Sequence, residues 1–236
     1  MTERLLEVIE AGLVPYDAAL AWQRELARAR RDGELGHDVL LLLEHPPVVT
    51  VGRSVRGTSL PDAGAIPVVE VERGGDVTYH GPGQLVGYPI LDLTHHKTDL
   101  HWYLRTLEQA LILALADLAI PAGCRPGYTG VWTRGGSRKI ASIGVHVKRW
   151  VTWHGFALNV TTNLAPFSRI VPCGIPGVDM TSVERDGGRG TGAGSLWDHA
   201  MRSVIQGFEQ VFGVTARHRE LSEETVARFA PTAPYP

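Results

Sequence analysis

Cysteine is scarce: the 236 residues hold two, Cys124 and Cys173. Two thiols make no disulfide scaffold, and an intracellular protein keeps such cysteines reduced. Long hydrophobic runs are also missing. The most apolar stretch, "ALILALADLAI", is too short and too interrupted to span a bilayer, and the acids in "MTERLLEVIEAG" argue against a secretory signal. No charge of one sign dominates: 23 basic residues face 25 acidic ones, for a formal net charge of -2. The longest basic cluster, Arg28 to Arg31, reads as a solvated helix face. Neither nucleic acid nor membrane is an expected partner, and the expected location is cytoplasmic. Metal motifs are absent too. There is no HExxH and no CxxC, and the adjacent His95 and His96 do not converge. With neither GxGxxG nor a Walker loop, no metal and no cofactor is expected.

What is present is ordinary globular composition, 44% apolar and 20% charged, in a length that suits one domain. "YDAALAWQRELARARRDG" reads as a helix, with Asp17 near its start and Gly33 near its end. "HDVLLLLEH", "VVTVGR", "IPVVEVERGG" and "QLVGYPILDL" read as strands. In the segment from Thr98 to Ile120, Leu100, Leu104, Leu107, Leu111, Leu115 and Leu118 recur at three- and four-residue steps. That spacing predicts one helical face, with Thr98 or Asp99 as its cap. The period then switches to two. Residues 128–162 predict antiparallel strands, with one turn at Gly135 and Gly136 and a second near "KRW". Phe156, Leu158 and Val160 alternate with smaller or polar neighbours, as in a half-buried strand. A helix over "SLWDHAMRSVIQGFEQVFG" stops at Gly213, and a last short helix fits "SEETVARFA". The expected fold class is α+β (mixed α/β): a single domain over 1–236 with a short helical extension after about 213.

Three segments are candidates for chemistry, each with a plain structural reading beside it. "ERGGDVTYHGPGQLVGYPI" combines Gly74, Gly75, Gly81 and Gly83 with the polar atoms of Arg73, Thr78, Tyr79 and His80. Such glycines serve a turn equally well as a close approach to a ligand. Lys139 opens a strand whose next residues, Ala141, Ser142 and Gly144, are small. That leaves room for a bound group beside a rigidly held ammonium. Cys173 sits between Pro172 and Gly174, in a loop context, where a nearby cation favours the thiolate. Cys124, beside Arg125 in "PAGCRPG", has a similar setting, so composition does not separate the two thiols.

Three longer motifs, in order, resemble one known family. "RGGDVTYHGPGQLVGYPI", "RKIASIGVHVKRWVTWHGFALNV" and "IVPCGI", preceded by "LLEHPPVVTVGR", are similar to the lipoyl(octanoyl) transferases, the octanoyl-[acyl-carrier-protein]-protein N-octanoyltransferases. The resemblance runs from about Tyr16 to Phe212. It implies a central mixed sheet flanked by helices, like the catalytic domain of biotin and lipoate protein ligases. It implies a substrate site made of Arg73, Gly74, Gly75, Asp76, Val77, Thr78, Tyr79 and His80, with Ser142, Ile143, Gly144, Gly155, Phe156 and Ala157. It implies Cys173 as nucleophile, forming an acyl thioester, and Lys139 as the group that lowers its pKa. The implied donor is octanoyl-acyl carrier protein. The implied acceptors are lipoyl domains of 2-oxoacid dehydrogenase complexes and the glycine cleavage H protein. His80 is a candidate proton carrier, and backbone N–H groups near Cys173 or Gly144 are candidates for an oxyanion hole. Both protein partners are typically acidic, so Arg73, Arg134, Arg138, Lys148 and Arg149 are candidate steering charges.

Overall fold

The computed structural model describes residues 4–55, 63–175, 177–189 and 194–220. Chain order begins with β1 (Arg4–Leu13), α1 (Tyr16–Arg31), β2 (Asp38–Glu44), β3 (Val48–Val51), β4 (Val68–Glu70), β5 (Val77–His80) and β6 (Gln84–Ile90). It continues with α2 (Leu100–Asp117), β7 (Ala122–Gly123), β8 (Val131–Thr133), β9 (Arg138–Lys148), β10 (Val151–Asn159), β11 (Asp179–Met180), α3 (Leu196–Phe212) and β12 (Val214–Glu220). Most of the described strands form one mixed sheet in the order β12-β1-β2-β6-β10-β9-β8-β7, with β11 also on β9. A separate small sheet runs β4-β3-β5.

Burial on both faces explains the central strands. In β2, Leu40 and Leu42 face the cluster built by α2 and α3, while Val39, Leu41 and Leu43 face α1. A strand covered on both sides has no use for alternation, so "VLLLL" is continuously apolar. The same cover corrects the half-buried expectation for β10. All nine of its residues are buried, with Phe156 and Leu158 under the α2–α3 layer and Ala157 on the α1 side.

Local signals set the helix ends. Asp99 caps α2 by accepting from Trp102 N–H. Its leucine face is as expected from Leu107 onward, but Leu100, the first residue of the helix, is 44% exposed. Ser195 and Asp198 form a reciprocal capping box on α3, and Gly213 ends it at φ 60°. Gly135 and Gly136 make their turn at φ 65° and 92°. The β9–β10 hairpin turns on Arg149 and Trp150, both at positive φ without a glycine.

One expectation changes at the C-terminus. Directly after Gly213 the chain forms β12, which pairs parallel with β1 and extends the sheet; it is no helical extension. The helix expected within 222–230 lies outside the described residues. No helix among the described residues is long and apolar enough to cross a membrane.

Candidate active site

A cavity of about 230 Å³ lies where the small sheet meets β9 and β10 of the large one. Strand period decides which signature residues reach it. On β5, Thr78 and His80 line the cavity. Val77 and Tyr79 point the other way, into an apolar cluster with Val49, Phe167 and Met180. On the facing hairpin, Ser142 pairs with Ala157, Ile143 with Phe156, and Gly144 with Gly155, and all six line the cavity. Arg73, Gly75 and Asp76 complete one wall. Of the expected substrate residues, Gly74, Val77 and Tyr79 support the wall without lining it; Gly74 N–H donates to Val145 O at 2.8 Å.

Arg73 is anchored, which removes it from the candidate steering charges. Its side chain is buried, and Nη2 donates to Thr50 O at 2.8 Å and to Thr50 Oγ1 at 2.9 Å. Arg138 is also engaged, with Asp179 at 2.9 Å and Asp186 at 3.2 Å, and Arg134 lies 3.6 Å from Asp186. Lys148 lines a separate groove with Arg24, Arg28 and Arg31 of α1.

Lys139 is 1% exposed, unusual for a lysine. Its Nζ donates to Thr129 O at 3.1 Å and lies 5.4 Å from the centre of the Trp132 ring. The small residues beside it give space for that burial. Gly130, at φ 127°, has no room for a Cβ, which would stand 2.8 Å from Lys139 Cε and 2.7 Å from Ala141 O.

Cys173 falls in a 3-10 turn, Pro172–Gly174, packed against β5, and Ile175 just beyond it lines the cavity. The Cys173 side chain is outside what the structure describes. The N–H groups of Gly174 and Ile175 bond within the turn, to Val171 O and Pro172 O at 3.1 Å each, so neither serves as a free oxyanion donor. Cys124 is different. Its Sγ–H donates to Glu108 Oε2 at 3.0 Å, and burial together with that carboxylate pushes its thiol pKa up. Arg125 stacks over Tyr128 and Trp132, at 4.7 and 4.8 Å.

The cavity imidazoles are neutral. Burial, with His45 nearby, holds His80 well below the usual histidine range. Its Nδ1 meets Gln84 Oε1 at 2.7 Å, while Gln84 Nε2 donates to Tyr79 O and Asn159 Oδ1. That orientation makes Nδ1–H the donor and leaves Nε2 as an acceptor. Beneath it, His45 Nδ1–H donates to Val14 O and Nε2 accepts from Tyr88 O–H, both at 2.7 Å. Burial brings His45 down to about 4.

Tyr16, Tyr88, His154, Tyr128 and Thr129 also line the cavity, and sequence reasoning did not single them out. Tyr88 had one signal: a phenol in an apolar strand must find a partner. His154 had none. It is 1% exposed and sits at φ 54°; neither ring nitrogen makes a close hydrogen bond among the described residues, and Nε2 stands 3.9 Å from Glu72 Oε2. Thr78 Oγ1 is likewise unpartnered. Strain and unpaired polar atoms concentrated at one cavity mark a binding site.

Comparison with known proteins identifies the family and the fold. Residues 15–208 match the family model of the lipoyl protein ligase A/B catalytic domain. The chain is 53% identical over 189 residues to an octanoyltransferase from Gloeobacter violaceus, covering 75% of this chain and 84% of that protein. It is 55% identical over 184 residues to one from Geobacter sulfurreducens, covering 78% and 77%. Among solved structures, lipoate-protein ligase A bound with ATP superimposes with a TM-score of 0.74 at 18% identity, covering 97% of this chain and 93% of that one. A bi-partite lipoate protein ligase from Thermoplasma acidophilum gives 0.71 at 19% identity, covering 97% and 91%. These two likenesses carry the fold: a mixed sheet with flanking helices. With the family model spanning most of its length, the chain belongs to the lipoyl protein ligase A/B catalytic domain family.

Proposed function

We propose that this chain is an acyltransferase that moves an octanoyl group from acyl carrier protein to a specific lysine of a lipoyl domain. The acyl group rides on Cys173 between the two partners. One observation carries the reading. The segments from Arg73 to His80, from Ser142 to Gly144 and from Gly155 to Ala157 converge on one cavity with a buried lysine in its wall.

The chemistry divides into two exchanges. The Cys173 thiolate attacks the donor's thioester carbonyl, and the carbon–sulfur bond to the carrier's phosphopantetheine breaks. That thiolate leaves and takes a proton. One thioester replaces another, so the step is close to isoenergetic and needs no ATP. The acceptor amine then attacks the acyl-enzyme carbonyl. The bond to Cys173 breaks, the nitrogen gives up a proton, and an amide remains. Amide formation drives the second exchange.

Lys139 is assigned the electrostatic role: its ammonium favours the Cys173 thiolate and stabilises the negative charge on the tetrahedral intermediates. His80, held neutral with its Nδ1–H on Gln84, is a weak base; we assign it to orienting the wall. The apolar faces of Phe156, Ile143, Ala157 and Ile175 suit the acyl tail. Each buried methylene contributes about 0.8 kcal/mol, so cavity depth selects chain length. The acceptors of this reading are lipoyl domains of 2-oxoacid dehydrogenase complexes and the glycine cleavage H protein.

Intact-mass analysis after mixing with octanoyl-acyl carrier protein tests the reading. One octanoyl adduct on Cys173, discharged by an acceptor domain without ATP, is expected, with loss of transfer in Cys173→Ser. An ATP requirement with no adduct would make the chain a ligase instead.

A further inference from the structure

Glu108 is a carboxylate buried where no catalytic reading needs one. It lies on α2 with 0% exposure, on the far side of the 127–130 loop from the cavity lysine. Three donors meet it. Gly130 N–H reaches Oε1 at 2.9 Å, Cys124 Sγ–H reaches Oε2 at 3.0 Å, and Arg105 reaches Oε2 from the surface. Arg105 is half exposed, so the pair is anchored at its outer end while the carboxylate stays dry.

The peptide between Thr129 and Gly130 joins this carboxylate to the active site. A peptide unit is planar, and in the trans form its N–H and C=O point in opposite directions. Glu108 holds the N–H of that one unit, and Lys139 Nζ donates to its C=O at 3.1 Å. The carboxylate and the ammonium therefore grip the two ends of a single rigid dipole. A negative charge at the N–H end also polarises the peptide, which strengthens its oxygen as an acceptor for the ammonium. Neither end has slack. Lys139 is buried along its length, and Gly130 is pressed so closely against it that no Cβ fits.

We propose that Glu108 is a positioning residue, which sets the aim and hold of the Lys139 ammonium through the Thr129–Gly130 peptide. The inference rests on the reading of Lys139 as the charge that activates Cys173. Glu108 touches neither substrate nor the reacting sulfur; it acts by fixing the acceptor that the ammonium must satisfy.

The same carboxylate supplies an internal control. It raises the pKa of Cys124, after burial itself, so removing it frees that thiol. A positioning role therefore moves the two cysteines in opposite directions: Cys124, already exposed, quickens for loss of the carboxylate while Cys173 slows, whereas general loosening of the fold does not slow Cys173. The experiment is iodoacetamide alkylation of the full chain, followed per cysteine by peptide mass spectrometry, for wild type, Glu108→Ala, Glu108→Gln and Lys139→Met. The other charged or titratable groups of the cavity, Tyr16, Arg73, Asp76, His80, Tyr88, Tyr128 and His154, stay unchanged, as does Arg105 beside Glu108.

In Glu108→Ala, Cys173 alkylation near neutral pH should slow by about fivefold as the thiolate fraction falls. The gap should close at alkaline pH, where the thiol ionises without help. Cys124 alkylation should rise, and single-turnover acylation should slow with donor KM within about twofold of wild type. Glu108→Gln keeps an acceptor for Gly130 N–H and should fall between. Should Glu108→Ala fail to fold, the isosteric Gln variant decides. Unchanged Cys173 reactivity in a folded variant, or both cysteines speeding up together, overturns the proposal. If Lys139→Met leaves Cys173 reactivity unchanged, it is the activation reading that fails. If Lys139→Met slows it and the Glu108 variants do not, only the positioning role falls.

Discussion

The floor of the cavity offers a sharp test of how packing sets the acyl site. Gly87 of β6 pairs directly with Phe156 of β10. A methyl group at Gly87 would run into the Phe156 ring, and even its mildest clash, with Cε2, is at 2.8 Å. The ring has little retreat. Phe156 is 2% exposed, and Phe208 of α3 stands behind it with ring centres 5.8 Å apart. Gly87→Ala must therefore tilt the ring toward the cavity that it lines. Overpacking of this kind costs about 1–3 kcal/mol. For a chain of this size that lowers Tm by about 2–4 °C per kcal/mol, measurable by thermal melts or urea titration. A double-mutant cycle isolates the cause. Phe156→Leu alone also destabilises, but it removes the ring that the new methyl strikes. The double variant should therefore be more stable than the sum of the two losses predicts, by about 1 kcal/mol or more. Activity supplies the second arm. A shortened slot should shift preference from octanoyl toward shorter donors, by about fourfold in kcat/KM per methylene expelled. Additivity of the two substitutions, or an unchanged Tm in Gly87→Ala, refutes the packing argument. A melt that shifts as expected with unchanged chain preference detaches Phe156 from the acyl slot.

Lys139→Met keeps the buried stem and removes the charge; Cys173 alkylation near neutral pH should fall by about tenfold or more, and an unchanged rate refutes the activation. Asp38 is buried against Arg30 at 3.0 Å and His96 at 2.7 Å. Asp38→Ala removes the nearest carboxylate from the buried guanidinium, which keeps Leu35 O, His95 Nδ1 and, at 3.9 Å, Asp92, and should cost about 3 kcal/mol in urea unfolding. Stability should also fall with acid before the carboxylates titrate. His45, His80 and His154 have depressed folded-state pKa values, so below about 6.5 the unfolded chain binds protons that the folded chain refuses. That contribution is fully present above the unfolded value and is lost as pH drops toward the folded one. For His45, brought to about 4, the loss through this window is about 3 kcal/mol. A urea midpoint that is flat between about pH 7 and pH 5 contradicts it.

Local signals were legible wherever the chain decides its own conformation. The leucine spacing and Asp99 announce α2, and the apolar stripe with Gly213 announces α3 and its end. What escaped is set by partners distant in sequence. β1 carries acids through its apolar pattern and becomes a strand because β2 and β12 pair with it from both sides. β12, "VTARHRE", holds few apolar residues and extends the sheet at its edge. The site divides in the same way. Motif resemblance put Thr78, His80, Ser142 and Gly155 at one cavity, and period-two reasoning sorts Val77 and Tyr79 away from it. Tyr16, Tyr88 and His154 come from three separate elements, and no spacing rule joins them. Arg73 shows the converse error: an arginine among glycines reads as surface charge until Thr50 is seen to hold it.

The two cysteines show why a thiol's role is not written in its neighbours along the chain. Both lie in loops rich in glycine and proline, and Cys124 even has an adjacent arginine. That arginine spends its guanidinium on Tyr128 and Trp132. Partial burial and then Glu108, sixteen residues back on α2, raise the pKa of the Cys124 thiol, since a carboxylate favours the protonated form. The same carboxylate grips the peptide whose carbonyl holds Lys139. If the positioning argument is right, one buried charge has two opposite effects: it quiets the thiol that must not react and steadies the cation that prepares the one that must. Exchanging Glu108 for a neutral residue should therefore narrow the reactivity gap between the two cysteines from both sides. No substitution at Arg125 should do so.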